Sequence, residues 1–302
     1  MRVRLALLVF GCVVYLALGA LGRAAATLSV ASFSTILTEV AQKVGGEHVV
    51  VSALVKPGTD PHEYQPTPGD LRTASESGLI LISGKGLENY LDKLQQATGG
   101  RVEVLAVGDY LPSLLIETPD HQGTGNASAS TVDPHWWNSV PNAIRATEVV
   151  EKAFARLDPA RAGDYQRGAE AYRQELSALD KDVRHKVARL PRDRRILVTS
   201  HDAFQYFAAT YGFTIDSVEG VSTGTEPSSR HVSELIDKIK RRGVKAIFLE
   251  STLNPKVSRE ITQETGARIG GILYADGLGE GDASTYSGMM RHNADTIVNA
   301  LE

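Results

Sequence analysis

DPARAGDYQRGAEAYRQELSALDKDVRHKVARL, residues 158–190, is the stretch on which the architecture turns. Asp158-Pro159 is a helix-start signal, with an N-capping side chain followed by the residue whose fixed φ suits a first helical position. Beyond it there is no proline, and leucine, valine and alanine recur at helical spacing among many charges. Two glycines, Gly163 and Gly168, lie near its start. About thirty helical residues at 1.5 Å each make a rod of roughly 45 Å. That is too long for a crossover helix in a small domain and suits a strut joining two lobes. The competing reading is two helices broken near Leu179 and Asp180.

On either side of this rod the chain alternates. Short β-branched or apolar runs at 28–33, 48–55, 79–82 and 102–106 read as strands, with helical patterns at 35–44, 69–77 and 87–98 between them. After Arg194 the alternation resumes: strands at 195–199, 213–218, 245–250 and 268–273, and helices at 203–211, 229–241, 255–265 and 285–301. Strands alternating with helices of ten to fifteen residues imply parallel sheets covered by helices. The expected fold class is α/β, with two lobes, each a mostly parallel four-stranded sheet flanked by helices, and one long rigid helix joining them. The expected boundaries are 27–157 for the first lobe, 158–190 for the linking helix and 191–302 for the second lobe.

Asp-Pro-His occurs twice, and the residues after it recur in the same pattern. His62 is trailed by Pro68, Leu71 and Arg72, and His135 by Pro141, Ile144 and Arg145, at the same offsets of six, nine and ten residues. The same loop-to-helix device used twice presents two matching imidazoles, the commonest protein ligands of transition metals. His201 comes after the buried-type run Ile196-Leu197-Val198-Thr199, at the carboxyl end of a strand, where open α/β sheets place ligands. Asp276 comes after a second such strand. Taken alone, His201 could be a structural cap and Asp276 a turn residue before Gly277. Asp60 and Asp133 read as caps or turn formers. Glu250 ends the strand at 245–250 on the same side, either behind the ligands or as a simple strand terminus. His48, His121, His185, His231 and His292 fall on strand edges, loops or polar helix faces and read as solvated.

The first 26 residues read as an export signal: Arg2 and Arg4, an apolar run, then Ala24-Ala25-Ala26 as a small-residue cleavage site. A retained membrane anchor is the competing reading. Cleavage would leave 29 basic and 36 acidic residues, a net charge of −7. An acidic chain without a basic block argues against nucleic acid as a partner. The one cysteine, Cys12, lies inside the signal, within a faint lipobox, Val9-Phe10-Gly11-Cys12, whose preceding apolar run is short. Cleavage into the periplasm without a lipid anchor is expected. The mature chain then holds no thiol, so His, Asp and Glu must bind any metal.

The run Thr199-Ser200-His201-Asp202-Ala203-Phe204-Gln205-Tyr206-Phe207, then Tyr211-Gly212, Phe248-Leu249-Glu250-Ser251 and Asp276 with the run 286–293, resembles the metal-binding receptors of ABC importers. The twin Asp-Pro-His loops match as well, and the resemblance spans the mature chain in order. It implies a monomeric solute-binding protein holding one transition-metal ion in the cleft between two lobes, and delivery to a membrane permease driven by a separate ATPase. By position, the family's four ligands fall on His62, His135, His201 and Asp276. Some zinc receptors of this family carry a His- and acid-rich loop before the second histidine. Here residues 117–132 are short and Ser/Gly-rich. Many manganese and iron members have glutamate as the third ligand, where this chain has His201.

Three imidazoles and one carboxylate suit tetrahedral Zn²⁺. Mn²⁺ prefers oxygen donors and lies at the bottom of the Irving–Williams order, so zinc is the expected cargo, with manganese or iron the alternative. A metal-dependent hydrolase would keep an open coordination position for water, which four protein ligands do not leave. His-Glu-x-x-His and phosphate-cradling loops are absent from the sequence, and no enzyme is expected. Nothing in the chain marks a contact surface for the adhesin role sometimes attached to the family. A rigid strut predicts small lobe motions, with release through loop movement around Asp276.

Overall fold

The computed structural model describes residues 27–118, 129–223 and 227–302. The expected signal at 1–26, Cys12 and His121 lie outside the described residues.

Four strands open the fold: β1 (Leu28–Ser32), β2 (Val49–Ala53), β3 (Leu79–Ile82) and β4 (Glu103–Ala106). They pair as one fully parallel sheet in the order β2-β1-β3-β4, with Val30 opposite Leu79 and Leu79 opposite Glu103. Leu79-Ile80-Leu81-Ile82 is buried throughout, as a strand covered on both faces must be. Helices α1 (Thr35–Gly45), α2 (Pro68–Ser75) and α3 (Leu91–Thr98) connect the strands. The antiparallel ribbon β5 (Leu115–Thr118) and β6 (Ala129–Val132) comes next, where the sequence pattern indicates only a loop. Its pattern is polar and Leu115 is exposed, so it carries little hydrophobic alternation to read.

Helix α4 (Val140–Leu157) runs back along the first lobe into the rod, α5 (Ala162–Ala188), which is continuous through Leu179 and Asp180. At 27 residues it is about 40 Å long. Pro159 lies in a single 3₁₀ turn, Pro159–Arg161, ahead of the helix, rather than at its first position. The buried stripe is Tyr165, Ala169, Tyr172, Leu176, Leu179, Val183 and Val187, spaced by three or four residues. Gly168 is explained by contact: a Cβ there would lie 2.5 Å from the Val44 carbonyl oxygen at the end of α1.

In the second lobe, β7 (Ile196–Thr199) pairs with β8 (Thr214–Ser217), and β9 (Ala246–Glu250) with β10 (Arg268–Leu273), both parallel. β7 lies beside β9, yet among the described residues the two form no ladder. Instead of one four-stranded sheet there are two parallel pairs, linked at their carboxyl ends by side chains. Ser200 Oγ lies 3.5 Å from the Phe248 carbonyl oxygen, and Glu250 Oε1 accepts the His201 backbone N–H at 2.9 Å. Helices α6 (Gln205–Tyr211), α7 (Ser229–Arg242), α8 (Lys256–Thr265) and α9 (Tyr286–Leu301) cover this lobe.

One buried apolar cluster runs from β1 through α1, α4 and α5 to α9, so the rod is part of the core of both lobes. Glu39 of α1 accepts the Tyr172 hydroxyl of α5 at 2.9 Å and the Tyr286 N–H of α9 at 2.7 Å. Among the described residues no helix is long and apolar enough to cross a membrane.

Candidate metal centre

Each predicted ligand sits where a strand or ribbon gives way to a loop. His62 lies between β2 and α2, and His135 directly after β6. His201 comes after β7, and Asp276 after β10. The fold brings all four into the cleft between the lobes, with one donor atom from each within 4.8 Å of the others. His62 Nε2 is 3.0 Å from His135 Nε2, which is 3.3 Å from His201 Nε2. Asp276 Oδ1 lies 3.3, 3.6 and 3.8 Å from the Nε2 atoms of His201, His135 and His62. His135 and His201 are fully buried, while His62 and Asp276 keep 9% exposure each. His48, His185, His231 and His292 lie away from this cluster.

Carboxylates outside the cluster aim the rings. Asp60 Oδ1 accepts the His62 N–H, and Asp133 Oδ1 the His135 N–H, both at 2.8 Å, so the two Asp-Pro-His loops share a turn geometry. Asp133 Oδ1 also meets His135 Nδ1 at 2.8 Å. Glu250 holds His201 in the same double fashion, one oxygen on the backbone N–H and the other on Nδ1. A carboxylate on Nδ1 fixes the ring and leaves Nε2 free to bind. Asp276 Oδ2 accepts the Thr252 hydroxyl at 3.0 Å. Its other oxygen, Oδ1, is buried and has no hydrogen-bond partner among the described residues.

Three contacts are not evident from the sequence. Trp137 Nε1 donates to the Ala275 carbonyl at 2.7 Å, and Asn138 donates to the Ala203 and Ala275 carbonyls at 3.0 Å each. Residues directly after His135 thereby fasten the backbone beside His201 and Asp276. Two tryptophans in succession after a candidate ligand are the available signal.

The electrostatics favour a cation. Burial, and then the neighbouring His135, push the His62 imidazole down to about 3, so it is neutral and able to bind metal. Burial alone would lower His201 too, but the Glu250 and Asp276 carboxylates outweigh it and hold its pKa well above the ordinary value. Burial alone would raise Asp276, but the three histidines, His201 foremost, hold it well below the usual carboxylate range. Burial pushes the adjoining Asp202 carboxyl up to about 6. Nitrogen donors converging with an unpartnered buried carboxylate oxygen fit a divalent ion.

The family described as "Zinc-uptake complex component A periplasmic" matches residues 30–300. Manganese-binding lipoprotein MntA of Bacillus subtilis is 35% identical over 91% of this chain and 90% of its own length. Iron-binding protein YfeA of Yersinia pestis is 34% identical over 88% of this chain and 84% of its own. The solved structure of the periplasmic zinc-binding protein TroA from Treponema pallidum matches with a TM-score of 0.81 at 32% identity, covering 91% of this chain and 99% of that one. The fold, the converging donor set and these relationships agree: the chain belongs to the ZnuA family of metal-binding receptors of ABC transporters, which are transport proteins and not enzymes.

Proposed function

We propose that the protein is a high-affinity receptor that captures Zn²⁺ through His62, His135, His201 and Asp276 and hands it to the permease of an ABC importer, with an ATPase driving transport. The reading includes export to the periplasm, with the signal at 1–26 cleaved and no lipid on Cys12. It also takes a monomer with lobes at 27–157 and 191–302 on either side of the linking helix at 158–190. Asp133 and Glu250 act here as positioning residues for His135 and His201.

One observation carries the choice of zinc. Four donors at the 2.0–2.1 Å bond lengths of tetrahedral zinc lie about 3.4 Å apart. Five of the six donor separations at this site run from 3.0 to 3.8 Å around that value, and all six lie within 4.8 Å. Three nitrogens and one oxygen at this spacing favour zinc over manganese on ligand softness as well.

A manganese receptor is the second reading, favoured by the manganese-binding and iron-binding relatives at similar identity. Competition titration of metal-stripped protein with Zn²⁺ and Mn²⁺ against a calibrated chelator separates the two. One equivalent of zinc, bound far more tightly than manganese, is expected. Equal affinities or a preference for manganese would move the function to manganese uptake, and no tight binding of either would sink the receptor reading.

A further inference from the structure

We propose that the ion enters and leaves past His62, and that a hydrogen bond from Thr223 to Asp60 across the cleft mouth sets how fast it does so. The proposal rests on His62, His135, His201 and Asp276 being the ligands.

The two ends of the site differ. Of the four converging residues, His62 alone lines the broad interlobe cleft of about 1040 Å³, with Lys85 and Asn89 beside it and residues 218–222 of the second lobe opposite. Asp276 faces a void of about 10 Å³, roughly the space of one water. His135 and His201 are fully buried. On the Asp276 side the lobes are fastened by buried bonds: Trp137 and Asn138 to the Ala275 carbonyl, and the Leu278 N–H to Thr35 Oγ1 at 2.9 Å. Passage there would break several buried hydrogen bonds together. Passage past His62 requires none of them to break.

His62 is also held differently from the other two histidines. Asp133 and Glu250 each contact the Nδ1 of their histidine, whereas Asp60 takes only the His62 backbone N–H. Among the described residues nothing bonds His62 Nδ1, so its ring is the one free to turn. The second oxygen of Asp60 accepts the Thr223 hydroxyl at 2.7 Å, joining residues 163 positions apart. One carboxylate thus fixes the backbone of the outermost ligand and ties its loop to the opposite lobe. Breaking the tie frees the His62 loop and leaves the inner three ligands in place.

The test is the rate of zinc loss from loaded protein after mixing with excess chelator, recorded by stopped flow. Thr223→Val removes the hydroxyl at nearly constant shape and is expected to speed zinc loss about tenfold, the scale of one hydrogen bond to a charged group. Stoichiometry and the melting temperature of metal-free protein should not change. Thr223→Ser keeps the hydroxyl and should stay within about twofold of wild type. In an Asp60→Ala background, Thr223→Val should add nothing, because its partner is gone. A Thr223→Val rate within about twofold of wild type would overturn the proposal, as would an equal acceleration in the Asp60→Ala background. Failure of the ligand assignment shows separately: His201→Ala would then hold zinc as tightly as wild type, and both readings would fall.

Discussion

A single oxygen of Asp133 holds His135 at two points, 2.8 Å from its backbone nitrogen and 2.8 Å from Nδ1. Both groups are fully buried, so no water competes for either contact. The pair sets the ring plane and the tautomer together, and Nε2 is left facing His62 and His201.

Replacing Asp133 by alanine should therefore weaken zinc binding by about 10- to 100-fold, the usual effect of removing a group that orients a metal-binding histidine. Competition titration reads the loss, and circular dichroism of metal-free protein checks that the fold survives. An unchanged affinity would mean the loop alone aims His135.

Zinc binding should release a proton at neutral pH. His201, held above its ordinary pKa between two carboxylates, carries a proton that the metal must displace. His62, pushed down to about 3, contributes none above about pH 4. Apparent affinity should thus fall about tenfold per pH unit between pH 7 and 5 from His201 alone. Calorimetry in two buffers of different ionisation enthalpy measures the proton count directly. Zinc binding with no proton release at pH 7 would refute the charged His201.

Glu88 provides a stability test away from the metal. Its carboxylate is buried and accepts the Ser83 and Gly84 N–H groups at 2.6 and 3.0 Å. Burial outweighs those bonds and pushes its pKa up to about 7 from 4.5. The folded state therefore binds a proton that the unfolded state has lost between those values. This group's effect on stability worsens as pH rises through that window, by about 3 kcal/mol in all. Urea unfolding of metal-free protein at pH 5 and 8 should show this loss in wild type, and a difference smaller by roughly that amount in Glu88→Gln. Equal pH differences in the two proteins would assign the slope to other groups.

Much of this is legible in the chain itself because periodicity and turn chemistry are local. Leu79–Ile82 and Arg268–Leu273 are the expected strands, and Ala162–Ala188 is the expected rod, displaced by a few residues because Pro159 opens a 3₁₀ turn instead. His62 and His135 announce themselves through a repeated motif. The double grip of Asp133 is hidden because it depends on a ring orientation that only packing fixes. Glu250 could be a simple strand end until β9 comes to lie beside β7. The ribbon β5–β6 has too little hydrophobic alternation to show itself, and the missing ladder between β7 and β9 is a matter of spacing that no single strand encodes.

Helix α5 has a consequence for recognition by a partner. Salt bridges bind it to both lobes, Lys43 to Glu175 at 2.8 Å and Lys186 to Asp295 at 2.7 Å, on top of the shared apolar core. A receptor braced in this way is expected to keep nearly the same silhouette whether full or empty. On that expectation, a permease of the importer would have little overall change of shape by which to read occupancy. If His62 is the outermost ligand, as proposed above, the difference would be felt at the rim, among the side chains around it.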